Sequence, residues 1–134
     1  MSEWLDLGRK VVANGDLKQL RLELGLNRSS MAELLRTTMA NYDAWEQGNV
    51  RLWPTTAERV GRFYSLAQTH LALLREAGIR FQEMVPLHHA TIALGVPQEL
   101  LLKRYREGSI DAEDLGILGL WIYKEDLERI REVL

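Results

Sequence analysis

Between Leu17 and Gly48 the apolar positions recur at helical spacing in three short bursts, each ended by a break. Leu17, Leu20 and Leu24 fall at i, i+3 and i+7 and predict a helix that stops at Gly25. Met31, Leu34 and Leu35 make a second, shorter stripe, opened by the polar run Asn27–Ser30. A third helix from about Thr38 turns Tyr42 and Trp45 inward and ends at Gly48, a residue suited to the position just past a helix. Helices this short do not stand alone in water, so the pattern requires them to pack on one another. Packing leaves the third helix an outer face of Thr38, Met39, Ala40, Asn41, Asp43 and Ala44. A short helix pair with such a face has the geometry that enters a major groove.

On either side the pattern continues. Ser2 to Asn14 reads as a helix with Trp4, Leu5, Val11 and Val12 inward, closed by Gly15, and Asp16 with Gln19 resembles a capping box for the next helix. Arg9 and Lys10 are candidates for a phosphate contact, although such a pair also suits a solvated face. A loop follows Gly48, and then Thr55 and Glu58 suggest another capping box. Val60, Tyr64, Ala67, Leu71 and Leu74 form an apolar seam that only a tolerable Gly61 interrupts before Gly78. Some twenty-three residues at ~1.5 Å each give a helix of roughly 35 Å, which reads as a rigid connector. Past Gly78 the period changes. Ile79–Val85 alternates loosely, Pro86 opens a new unit, and Leu87–Gly95 reads as a short helix with Ala90, Ala93 and Leu94 inward. Pro97 starts and Gly108 ends another helix, Ile110–Tyr123 carries two glycines among apolar residues as a hairpin would, and an amphipathic helix closes the chain. The expected organisation is residues 1–54, a connecting helix over 55–78, and a second domain over 79–134.

Composition narrows the function classes. The chain has 134 residues, 46% of them hydrophobic, enough for one domain or two small ones. It has no cysteine, which removes disulfides, thiolate metal sites and a cysteine nucleophile. No apolar run reaches the length of a membrane span and no leader opens the chain, so a cytoplasmic location is expected. Adjacent His88 and His89 diverge by about 100° on a helix, so they do not ligate one metal together. Asp111, Glu113 and Asp114 lack the glycine and bidentate glutamate of a calcium loop, and no glycine-rich phosphate loop or nucleophile elbow occurs. An enzyme, a bound metal and a cofactor are therefore not expected. Charge shifts along the chain: residues 1–53 hold 7 Lys/Arg and 7 Asp/Glu, whereas residues 84–134 hold 6 and 9. A general polyanion binder would be basic, while a sequence-specific reader needs only a few local phosphate contacts.

The first stretch resembles the helix-turn-helix of phage repressors of the lambda/Cro type and their bacterial XRE relatives. The matching residues are Leu20-Arg21, Leu24-Gly25-Leu26, Ala32-Glu33-Leu34-Leu35, and Trp45-Glu46 followed by Gly48. Three positions depart: Arg36 replaces the turn glycine, Tyr42 a buried aliphatic, and Arg28 the glutamine opening the second helix. The turn survives Arg36 if that residue accepts a positive φ. The resemblance implies base contacts by Thr38, Met39, Ala40, Asn41 and Ala44, with Asn41 able to contact adenine bidentately. It also implies contacts to a phosphate or guanine edge by Arg28, and to the backbone by Gln47, Asn49 and Arg51.

The second half resembles excisionase and MerR-like winged helix-turn-helix proteins through Ala90, Leu94-Gly95-Val96, Leu101, Tyr105-Arg106, Gly108, Ile110, Gly116, Ile122 and Glu125-Asp126-Leu127. Gln98, Lys103 and Arg106 are its candidate DNA contacts. Here the hairpin carries no Arg or Lys, and Leu100 and Leu102 are unusually apolar for a groove-facing helix. Together the halves predict an all-α protein of two unlike helix-turn-helix domains, with at most one small β-hairpin. That combination is similar to the immunity repressors of temperate mycobacteriophages. It implies a transcriptional repressor of lysogeny and superinfection immunity, in the cytoplasm of a bacterial host, binding double-stranded operator DNA. Two unlike readers imply a monomer on an asymmetric site without an obligate protein partner. A recombination directionality factor and an antitoxin-like interaction module are the alternatives.

Overall fold

The computed structural model describes residues 3–134. They are mostly helical, with a small three-stranded antiparallel sheet, and the chain divides into two units, Met1–Ile79 and Arg80–Leu134.

Five helices make the first unit: α1 (Glu3–Asn14), α2 (Asp16–Glu23), α3 (Arg28–Leu34), α4 (Met39–Gln47) and α5 (Pro54–Glu76). Ser2, expected to begin α1, lies outside the described residues. Leu17, Leu20, Leu24, Met31, Leu35, Tyr42 and Trp45 are all buried, as their spacing required, while Leu34, Trp4 and Leu5 are only half-buried. With them lie Val11, Val12 and the α5 positions Ala57, Val60 and Ala67, while Tyr64 and Leu74 of the expected seam are only half-buried. The helix expected over 55–78 therefore contributes core to the first unit and is counted within it.

The close packing of α1 on α5 depends on two glycines. A Cβ at Gly8 would fall on the Ala57 carbonyl, and one at Gly61 on the Trp4 carbonyl, each well inside van der Waals contact. Gly61 is thus required where its position in the seam suggested only tolerance. Neither expected capping box forms. Gly15, at φ 75°, precedes α2 without a side-chain cap, and Asp16 is already helical. Pro54 occupies the first turn of α5, where its missing N–H costs nothing, so Thr55 falls inside the helix rather than before it.

The second unit opens with a 3-10 turn at Phe81–Glu83, not with a continuous extended segment. It continues through β1 (Met84–Pro86), α6 (Leu87–Leu94), α7 (Gln98–Arg106), β2 (Glu113–Asp114), β3 (Leu120–Tyr123) and α8 (Leu127–Val133). The expected hairpin is β2–β3, and β1 adds to its other side in the order β1-β3-β2. Pairing Val85 with Ile122 places both in one apolar cluster with Ala90, Leu101, Ile110 and Ile130. Phe81 meets Trp121 edge-on at 5.2 Å, and the Trp121 indole donates to the Leu118 carbonyl at 2.8 Å. Ala93, expected inward, is exposed, because α6 buries the face that carries Ala90.

Candidate functional site

Tight local capping sets the aim of α4. Asn27 caps α3, its carboxamide oxygen accepting from the Ser30 N–H at 2.8 Å. Leu35 ends α3, and Arg36 then adopts φ 56°, in the left-handed region. Among the described residues it is the one non-glycine with positive φ. Backbone bonds from Arg36 N–H to Glu33 and from Thr37 N–H to Ala32 lock this turn. Thr38 then caps α4 by accepting from the Asn41 N–H at 3.1 Å. Gly48 closes the helix at φ 73°.

A buried ion pair fixes α4 against α2. The Arg21 guanidinium donates to both Glu46 oxygens, at 2.7 and 3.2 Å, and to the Leu26 carbonyl at 3.1 Å. The Arg21 and Glu46 side chains are 11% and 6% exposed, so this is an interior fork of the kind a carboxylate accepts bidentately. Burial pushes the Glu46 carboxyl up, but the Arg21 fork, the neighbouring Tyr42 hydroxyl and the charge of Arg28 outweigh it and hold the carboxyl below its usual range. Tyr42 lies beside the pair without completing a hydrogen bond of good geometry, and burial first, then the Glu46 carboxylate, raises its pKa. Arg21 and Glu46 stand on different helices, 25 residues apart, and only the fold brings them together.

With Tyr42 and Trp45 inward, Thr38, Met39, Ala40 and Asn41 are exposed and Ala44 is half-buried. Met39 is 50% exposed, and the Asn41 carboxamide makes no hydrogen bond among the described residues. Asp43 is more engaged than its place on that face suggested, because Arg28 Nε lies 3.7 Å from both its carboxylate and that of Glu46. Arg28 therefore has partners within the unit, although 52% of its side chain is exposed. Gln47, Asn49 and Arg51 are exposed, at the end of α4 and in the loop after it. Arg9, a candidate phosphate ligand, instead spends two N–H groups on the Leu52 carbonyl, at 3.3 and 3.2 Å, and ties that loop to α1. Its neighbour Lys10 is exposed.

In the second unit α7 buries Leu101 and leaves Gln98, Lys103 and Arg106 exposed, with Arg104 paired to Glu107 at 3.2 Å. Leu100 and Leu102 are half-buried, which accounts for part of their apolar character. The β2–β3 hairpin presents Glu113 and Asp114. Trp53, which the spacing analysis did not single out, is 82% exposed between buried Leu52 and exposed Pro54.

Among the described residues no group of three or more His, Asp or Glu side chains is placed to hold a metal, and no helix is long and apolar enough to cross a membrane. Against family models, curated proteins and solved structures the chain has no significant match.

Proposed function

We propose that this chain is a sequence-specific double-stranded DNA-binding protein that acts as a transcriptional repressor. The observation that carries the reading is α4: a short helix capped by Thr38, preceded by a left-handed turn and pinned from behind by the Arg21–Glu46 fork. Its free face offers an uncommitted carboxamide, small side chains and a methionine. A helix of this size fits the major groove, where Asn reads adenine bidentately and small apolar groups meet thymine methyls. The face carries little charge of its own, so affinity must come from local cations such as Arg51, and non-specific binding should be weak.

In this reading the second unit is a second, unlike reader, with Lys103 and Arg106 on α7 supplying phosphate contacts beside Gln98. Two readers that are not copies ask for a site without two-fold symmetry and for one chain per site. The resemblance of both halves extends the proposal to an immunity repressor of a temperate phage, acting in the bacterial cytoplasm during lysogeny. The acidic hairpin of Glu113 and Asp114 favours one competing reading, in which the second unit docks on another protein while the first alone reads DNA.

Selection of bound duplexes from a random pool, followed by native mass spectrometry on the selected site, tests the proposal. An asymmetric motif bound one-to-one is expected. A palindrome bound by two chains would restore an ordinary dimeric repressor, and a pool with no enrichment would refute DNA reading altogether.

A further inference from the structure

We infer that Arg36 and Arg59 together hold one backbone phosphate at the edge of the α4 face, an assignment that rests on the DNA-binding reading above. The starting point is the strain at Arg36. Its φ of 56° suits glycine, and every other described residue with positive φ is a glycine. An arginine here destabilises the turn, and strain of this kind persists where the side chain is useful and the surrounding structure imposes the conformation. The backbone bonds of Arg36 and Thr37 to α3 supply that imposition.

The Arg36 side chain is exposed, and it lines an open groove of about 470 Å³ with Thr37, Thr38, Asn41, Thr56 and Arg59. Arg59 reaches that groove from the second turn of α5. Neither guanidinium has an ion-pair partner among the described residues. Glu33 also lines the groove without bridging to either arginine, and Glu58, next to Arg59 in sequence, pairs with Arg62 at 3.4 Å. Two unneutralised guanidiniums, three threonine hydroxyls and a free carboxamide thus share one groove. Guanidinium forks match the oxygens of a phosphodiester, and an anion between two like charges relieves their repulsion. The site borders Asn41, so a phosphate held there would set the register at which that carboxamide meets a base edge.

The test uses the full chain and the selected duplex, titrated over a range of salt concentrations, with thermal melts of each variant. Arg36→Gly relieves the backbone strain while removing the contact, so Tm is expected to hold or rise by about 2–5 °C. Its Kd should weaken about tenfold, with the salt slope falling by about 0.9. Arg59→Ala, on an exposed helical position, should leave Tm unchanged and lose the same affinity and slope. Arg36→Lys keeps the charge but not the fork, and should retain the salt slope while recovering only part of the affinity. A purely structural Arg36 moves Tm but not the salt slope, so wild-type affinity and slope in both Arg36→Gly and Arg59→Ala overturn the assignment and leave DNA reading intact. Failure of the wild-type chain to bind any duplex overturns both.

Discussion

Arg21, Ser30 and the Glu46 side chain, buried polar groups among the described residues, all belong to the first unit. That unit orients its exposed helix with a bidentate ion pair and holds α1 on α5 at a glycine-to-glycine approach. The second unit centres on an apolar cluster of Val85, Ala90, Leu101, Ile110, Ile122 and Ile130, formed by three helices, a short sheet and the turn between them. Apolar contacts are non-directional and tolerate repacking, whereas a buried fork satisfies its charges in one geometry only. The comparison teaches where accuracy is concentrated. α4 is held to a narrow set of orientations, which suits the contact with base edges proposed for it, and α7 is held by the burial of Leu101.

The contrast can be broken most severely at Gly61. Gly61→Ala drives a methyl into the Trp4 carbonyl, and the expected loss is about 3 kcal/mol or more, because backbone cannot move aside as a side chain can. Thermal and urea melts followed by residue-resolved NMR should show the first unit unfolding early while resonances of the second persist. Simultaneous loss of both would mean that the two units fold as one.

Next comes the fork. Glu46→Gln leaves the Arg21 charge buried without its counterion and should cost about 3 kcal/mol, the low end of the range for breaking a buried pair. Because the folded Glu46 pKa lies below the usual value of 4.5, the pair's contribution is present above that value and is lost as pH falls through the folded pKa. The variant should therefore lose less of its stability than wild type when urea midpoints are measured from pH 6 downward past 4.5. Equal acid sensitivity in the two proteins would remove the fork from the account of α4.

Smaller effects separate the two proposed readers. Asn41→Ala should relax preference at one A·T position by ~1–3 kcal/mol without changing Tm, as measured by competition among single-base variants of the selected site. Unchanged preferences would make Asn41 structural. Replacing Lys103 and Arg106 with alanine should leave base preferences alone and flatten the salt slope by up to about two units, roughly one for each lost phosphate contact. An unaltered slope would favour a protein partner for α7.

Much of this architecture was legible along the chain, for a physical reason: helix spacing, glycine stops and prolines act within a few residues of where they stand. Leu17, Leu20 and Leu24 are buried at the spacing that marked them, Gly48 and Gly95 terminate helices, and the Ile110–Tyr123 glycines accompany a hairpin. The exposed face of α4 follows from the burial of Tyr42 and Trp45. Local rules failed where two plausible local solutions competed, so Pro54 and Gly15 set the helix starts in place of the Thr55 and Asp16 capping boxes. Contacts distant in sequence were decided only by the tertiary structure. Gly61 reads as a tolerable interruption until it and Gly8 let α1 and α5 meet backbone to backbone. Arg9 looks like a surface cation until the Leu52 carbonyl claims it, and Arg21 and Glu46 become a pair only when α2 and α4 are packed. The two polar pairs lie 43 and 25 residues apart and the glycine contacts farther still, and periodicity carries no information about which elements will face each other over such separations.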